Sequence, residues 1–210
     1  MKLITVATSL GNDGLNQLYN SAKKNGWDIE VIEAEWRGFG TKLIETYNYL
    51  LRNPDVKDFM FVDAYDVVAL STPQEVIEKI KDRSKMLVSV EKNCWPDSKL
   101  STEYPDTDSE WKYINSGTYY APRDVFMELI EKNPPLYSDD DQLWMTNEFL
   151  NHKNSFVLDY SCQVFQCYSF ISEDDFGYEN KRLQNLKTKS EPVFIHGNGK
   201  TDLTKIIDLL

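Results

Sequence analysis

Apolar runs separated by turn-forming residues divide the first third of the chain into alternating strands and helices. Residues 2–8 and 27–32 predict strands, and residues 59–62 are apolar throughout, which is typical of a strand buried on both faces. Leu15, Leu18 and Ala22 recur at helical spacing and predict a helix over 15–25. A second helix is predicted over 41–52. This order is typical of a nucleotide-binding α/β half.

The rest of the chain continues the alternation with shorter elements. Thr72, Pro73 and Glu75 predict a helix start with a capping box. Residues 113–122 predict a strand, a turn and a second strand, because Asn115-Ser116-Gly117 interrupts the apolar run. Further strands are predicted over 86–90, 156–158 and 192–196, and helices over 123–132 and 143–150. We expect one α/β domain over 1–210, a Rossmann-like mixed sheet with flanking helices.

The charge of the chain limits its partners. A formal net charge of −11 argues against nucleic acid, which requires clustered Lys and Arg. No apolar run approaches the roughly 20 residues that a membrane span needs, and the N-terminus does not resemble a signal peptide. These features predict a cytoplasmic protein. The three cysteines lack CxxC spacing and predict buried thiols rather than disulfides or a zinc site.

Two carboxylates follow the apolar run at 59–62. Asp63 and Asp66 stand three residues apart, and a buried charge is unfavourable by several kcal/mol or more unless it is paired or bound to a cation. We therefore place both at the carboxyl edge of the sheet, where α/β proteins usually bind ligands. Carboxylate oxygens there suit Mg²⁺ or Mn²⁺ and a phosphorylated substrate. The alternative is an ordinary strand exit with two solvated aspartates.

Two further groups could complete such a site. His196 ends an apolar strand beside Gly197-Asn198-Gly199-Lys200, a turn in which backbone N–H groups and a lysine can approach phosphate. Imidazole and two carboxylates form an acceptable Mn²⁺ set. Asp139, Asp140 and Asp141 precede a helix, where one or two acids suffice as cap and dipole partners. Together these groups describe a metal-dependent nucleotide-sugar transferase.

Eight motifs occur in order through most of the chain. They are Ile4-Thr5-Val6-Ala7-Thr8, Glu35-Trp36-Arg37-Gly38, Phe61-Val62-Asp63-Ala64-Tyr65-Asp66-Val67, Cys94-Trp95-Pro96, Asn115-Ser116-Gly117, Asp139-Asp140-Asp141-Gln142-Leu143, Phe165-Gln166 and His196-Gly197-Asn198-Gly199. The ordered set resembles the glycosyltransferase domain of procollagen lysyl hydroxylases. That resemblance implies a GT-A fold, Mn²⁺ and a UDP-sugar donor, with glucose or galactose transferred to a hydroxyl acceptor on protein or glycan.

The resemblance also implies roles for individual residues. Asp63, Asp66 and His196 would ligate Mn²⁺, while Asn115, Asp140 and Asp141 would surround the transferred sugar and the acceptor hydroxyl. Tyr65 would stack on the uracil. Asp140 or Asp141 would supply the catalytic acid group. The implied donor-binding residues are Thr8, Trp36, Lys42, Tyr65, Trp95, Asn198, Gly199 and Lys200, although the family usually has proline where Lys200 stands.

The chain also departs from the family. Its segment between Trp36 and Lys42 is shorter than in the animal enzymes, and it carries no hydroxylase portion, which would fit a free-standing domain of viral or bacterial origin. Hydroxylysine of a collagen-like protein is therefore a candidate acceptor only. Two alternatives stay open, a metal-dependent nucleotidyltransferase and a non-catalytic nucleotide-sugar-binding module. Five intact polar residues argue against a decayed module, namely Asp63, Asp66, Asp140, Asp141 and His196.

Overall fold

A computed structural model describes residues 1–179 and 182–208 and all their side chains except that of Glu173. Its strands are β1 (Lys2–Ala7), β2 (Ile29–Glu33), β3 (Asp58–Val62), β4 (Val67–Ala69), β5 (Met86–Glu91), β6 (Tyr113–Pro122), β7 (Phe156–Leu158), β8 (Phe165–Cys167), β9 (Phe176–Glu179), β10 (Arg182–Asn185) and β11 (Phe194–His196). Its α-helices are α1 (Asp13–Lys24), α2 (Thr41–Arg52), α3 (Pro73–Lys79), α4 (Arg123–Lys132), α5 (Asp141–Asn151) and α6 (Thr204–Ile207). Among the described helices, none has the length and apolar character needed to cross a membrane.

A six-stranded mixed sheet forms the centre of the fold, in the order β2-β1-β3-β6-β5-β7. β6 runs antiparallel to both of its neighbours, while the other paired strands are parallel. Successive side chains of β3 point to opposite faces, so Phe59 and Phe61 join one apolar cluster and Met60 and Val62 join another. The expectation that this strand is buried on both faces is confirmed.

A smaller sheet in the order β4-β11-β8 lies beside the central one. β11 is antiparallel to β4, with His196 opposite Val67, and the backbone N–H of Gly197 donates to the carbonyl of Asp66 at 2.7 Å. This pairing brings the end of β11 to the loop between β3 and β4. β3 belongs to the central sheet and β4 to the smaller one, so Asp63 and Asp66 lie in the loop at the corner between the two sheets.

Side chains cap the starts of α1 and α3, although α1 begins at Asp13, two residues before its predicted start. Asn12 accepts from the backbone N–H of Gly14 at the start of α1, and Thr72 accepts from that of Glu75 at the start of α3. In a capping box the Glu75 carboxylate would accept from the backbone N–H of Thr72. Here it binds Arg182 and Lys79 instead. Charged partners hold a carboxylate more strongly than one backbone N–H does.

The prediction of a turn within 113–122 is wrong, since β6 is one continuous strand over these ten residues. β6 pairs with β3 over residues 118–122 and with β5 over residues 113–114 and 119–120, so Asn115-Ser116-Gly117 lies where the β5–β6 register shifts. The carbonyl of Gly117 accepts from the backbone N–H of Asp63 at 2.7 Å, which holds this part of β6 against the end of β3. The antiparallel pairing of β9 with β10 was not predicted.

Candidate active site

Two carboxylates and one imidazole converge at the corner between the two sheets. The Nε2 atom of His196 lies 3.4 Å from Oδ1 of Asp66 and 3.8 Å from Oδ2 of Asp63. One ligand atom from each of the three residues lies within 4.8 Å of the others. A single divalent cation with bonds of about 2.1 Å spans such a set, and oxygen and imidazole donors are suitable for Mn²⁺. The residues therefore fit a hard divalent cation.

Burial and charge oppose one another in this cluster. Burial acts to lower the pKa of His196, but the adjacent Asp66 carboxylate outweighs it, so the pKa lies well above its ordinary value. Burial acts to raise the pKa of Asp66, yet the contact with His196 leaves that pKa lowered. The pKa of Asp63 is raised by burial, against the opposing effects of Lys42 and His196. The imidazolium of His196 thus faces two carboxylates, and a bound divalent cation would supply their positive counter-charge in its place.

Gly117 explains how the three groups approach so closely. A Cβ atom at this position would lie 2.2 Å from Cε1 of His196 and 2.7 Å from Oδ2 of Asp63. Real Cβ contacts are essentially never shorter than 3.0 Å. The backbone of β6 therefore forms one wall of the cluster, and only glycine leaves the required space.

Lys42 connects this cluster to the acidic start of α5. Its Nζ lies 2.9 Å from Oδ1 of Asp63 and 2.7 Å from Oδ2 of Asp141. Burial acts to lower the pKa of Lys42, but Asp141 and Asp63 outweigh it, so the pKa lies above its ordinary value. The ammonium is therefore charged and pairs with two carboxylates from distant parts of the sequence, which a buried charge requires.

A cavity of about 190 Å³, which we call the β1 cavity, opens at the carboxyl end of β1. The predicted donor-binding residues Thr8, Trp36, Lys42 and Tyr65 all line it, together with Phe39 and the two aspartates. The phenol oxygen of Tyr65 accepts from the backbone N–H groups of Thr8 at 2.7 Å and Ser9 at 2.8 Å. These bonds hold the aromatic ring as a fixed wall of the cavity.

A second cavity of about 170 Å³, the α5 cavity, lies beside the first. Its walls include the predicted residues Asn115, Asp140, Asp141, Trp95, Asn198 and Gly199, as well as His196. Asp140 is also the N-cap of α5, with Oδ1 accepting from the backbone N–H of Leu143 at 2.8 Å. Lys200 is exposed and lines neither cavity. The structure thus brings together every predicted site residue except Lys200.

The sequence analysis missed Glu91, the last residue of β5. Its buried carboxylate accepts from the side-chain amides of Asn115 at 2.9 Å, Gln142 at 3.0 Å and Asn198 at 3.2 Å. Burial raises the pKa of Glu91 although these amides favour its charged form. Because the three amides come from three separate elements, Glu91 fixes the floor of the α5 cavity. An acid at the end of an apolar strand was the available signal, as it was for Asp63.

The oxygens of the same three amides are also occupied. Asn115 accepts from the backbone N–H of Gly117, Gln142 from that of Ser116, and Asn198 from that of Ser169. Each amide therefore has one defined orientation, with its NH₂ toward Glu91.

Comparisons with known proteins agree with this architecture. A family model described as "PLOD GT domain" matches residues 1–207. An uncharacterized protein of Acanthamoeba polyphaga mimivirus is 38% identical over 176 residues, 82% of this chain and 38% of that protein. The Drosophila melanogaster procollagen-lysine,2-oxoglutarate 5-dioxygenase is 33% identical over 231 residues, 97% of this chain and 31% of that protein. The chain thus spans only about a third of the length of these relatives.

A solved structure of low sequence identity has the same fold. It is a glycosyltransferase involved in glycosylation of the major capsid of PBCV-1, with a TM-score of 0.62 and 10% identity. The match covers 99% of this chain and 97% of that one. The predicted GT-A fold, a mixed α/β sheet with flanking helices, is confirmed.

Proposed function

The chain belongs to the family of PLOD glycosyltransferase domains, and on that premise we propose that it transfers glucose or galactose from a UDP-sugar to a hydroxyl acceptor with the help of Mn²⁺. One observation carries the proposal. Asp63, Asp66 and His196 converge within 4.8 Å, and both aspartates line the β1 cavity and the α5 cavity. A diphosphate bound at the two aspartates would have its nucleoside in the β1 cavity and its sugar in the α5 cavity.

In this proposal Asp63, Asp66 and His196 hold the Mn²⁺. When bound, the metal supplies positive charge that stabilises the UDP leaving group as the anomeric C–O bond breaks. The tethered ring of Tyr65 forms the wall against which the base stacks, and Thr8 and Trp36 complete the β1 cavity. Asn198 and Gly199 lie beside the diphosphate, whereas the exposed Lys200 lines neither cavity and leaves the diphosphate to these two residues.

The acidic start of α5 faces the sugar side of the proposed site. Asp141 is buried and paired with Lys42, whereas Asp140 caps the helix with one oxygen. Asn115 and Trp95 line the same cavity. We assign the catalytic acid group to Asp140 or Asp141, which would stabilise an oxocarbenium-like centre or take the acceptor proton. The relatives' names make hydroxylysine of a collagen-like protein the first acceptor to test.

The test is release of UDP from a panel of UDP-sugars, with and without Mn²⁺ and without added acceptor. Slow transfer to water makes this assay independent of the unknown acceptor. We expect Mn²⁺-dependent release from UDP-glucose or UDP-galactose, and its loss in Asp66→Ala with an unchanged circular dichroism spectrum. Asp124→Ala, which removes an aspartate that is 94% exposed on α4, is the matched control.

Two results would refute the proposal. One is the absence of release from every donor together with no Mn²⁺-dependent UDP binding, which would leave only the family fold. The other is full turnover by Asp66→Ala, since removal of one of three metal ligands should abolish a metal-dependent reaction.

A further inference from the structure

The β1 cavity and the α5 cavity share four lining residues. They are Phe39, Lys42, Asp63 and Asp66. The last three are charged and belong to the cluster described above, whereas Phe39 is apolar and comes from the segment before α2. Any ligand that occupies both cavities must pass these four side chains. Phe39 was not among the residues assigned to the site from the sequence.

The backbone on both sides of Phe39 is held against the loop that precedes α5. Gly38 has a φ of +126°, and a Cβ there would lie 2.2 Å from the carbonyl oxygen of Tyr137. At Gly40 a Cβ would lie 2.0 Å from the carbonyl oxygen of Leu136. These contacts leave no room for a side chain at either position. The segment therefore rests directly on residues 136–137.

Side chains reinforce that contact. The Arg37 guanidinium lies 3.6 Å from the centroid of the Tyr137 ring, a cation–π arrangement, and the Tyr137 hydroxyl donates to Glu45 at 3.1 Å. The ring of Phe39 meets that of Trp36 edge to face, with centroids 5.2 Å apart. Phe39 nevertheless remains 53% exposed. A fixed backbone thus presents a half-exposed aromatic ring at the junction of two cavities.

We propose that Phe39 covers the junction, contacts the UDP-sugar where it passes between the cavities and excludes water from the metal cluster. The proposal rests on the proposed function. The charged side chains of Lys42, Asp63 and Asp66 attract water, and an apolar ring that lines the same two cavities keeps water from the sugar–phosphate bond. Contact with the donor also removes apolar surface of the ring from solvent.

The experiment compares Phe39→Ala and Phe39→Leu with wild type by acceptor-free UDP release from UDP-glucose and UDP-galactose. We expect Phe39→Ala to raise the KM for the donor about 2- to 12-fold, the range for one lost aromatic contact. Its kcat for transfer to water should exceed that of wild type, because water gains access. The KM and the kcat of Phe39→Leu should lie between those of wild type and Phe39→Ala. Leu51→Ala is the matched control, since Leu51 is 52% exposed on α2 and lines neither cavity.

The split between KM and kcat separates this role from a structural one. A merely structural Phe39 would give a variant with lower kcat and a lower melting temperature, and that result would overturn the proposal. An unchanged KM in Phe39→Ala, with wild type active, would also overturn it while leaving the proposed function intact. If wild type releases no UDP from any donor, the proposed function fails and this inference fails with it.

Discussion

Gly117→Ala is the most direct test of the geometry at the metal cluster. The added methyl group would lie 2.2 Å from Cε1 of His196, whereas ordinary contact begins at 3.4 Å. The ring or β6 must therefore shift by about 1.2 Å, the difference between these two distances. Ligand distances in metal sites tolerate about 0.2 Å. We expect the substitution to displace His196 from the set that Asp63 and Asp66 form with it.

Gly117→Ala should lower both the stability of the fold and the affinity for Mn²⁺. Overpacking of a buried site lowers the free energy of unfolding by about 1–3 kcal/mol, or roughly 3–9 °C in melting temperature for a chain of this size. Loss of one ligand should in addition weaken Mn²⁺ binding by about 10- to 100-fold, an effect as large as that of altered outer-shell partners. Melting temperatures with UDP, in the presence and absence of Mn²⁺, measure both effects in one experiment.

Gly11→Ala is the matched control, because nothing lies within 4 Å of a Cβ at Gly11. Its melting temperature and its stabilisation by Mn²⁺ should equal those of wild type. If Gly117→Ala showed the same rise in melting temperature with Mn²⁺ as wild type, His196 would not be a ligand in the position described. Such a result would refute the steric role assigned to Gly117 even if the variant were active.

Two further predictions concern the carboxylates of Glu91 and Glu75. Glu91→Gln turns one accepting oxygen into an NH₂ group that faces the amide of Asn115, Gln142 or Asn198. The free energy of unfolding in urea should therefore fall by about 1–3 kcal/mol, and UDP release should also fall. If both values stayed unchanged, Glu91 would not organise the α5 cavity. Burial acts to raise the pKa of Glu75, but its contacts with Arg182, Lys79 and Ser71 outweigh that effect and lower the pKa from 4.5 to about 2. These contacts therefore stabilise the fold fully above pH 4.5, and the stabilisation is lost as the pH falls toward 2. After allowance for solvent screening, Glu75→Gln should lower the free energy of unfolding by about 1–2 kcal/mol at pH 7, with the difference from wild type narrowing below pH 4.5; a constant difference across that range would contradict the assignment.

The sequence alone determined the local elements and part of the site. Helical spacing and flanking residues predicted α2 and α4 with the bounds that the structure has. An unbroken apolar run followed by two aspartates predicted a strand buried on both faces and a polar loop at its end. These features depend on short-range backbone preferences and on burial, both of which leave a pattern in neighbouring residues.

The contacts between distant residues depended on the tertiary structure. His196 reaches Asp66 because β11 inserts between β4 and β8, and no pattern around His196 encodes that strand order. The turn predicted at Gly117 was wrong for a related reason, since the space that the glycine leaves is needed by residues far away in the sequence. Glu91 and Phe39 likewise acquire their surroundings only when separate elements pack together. Packing is decided by the whole chain, so the sequence identified candidate residues and the fold decided which of them meet.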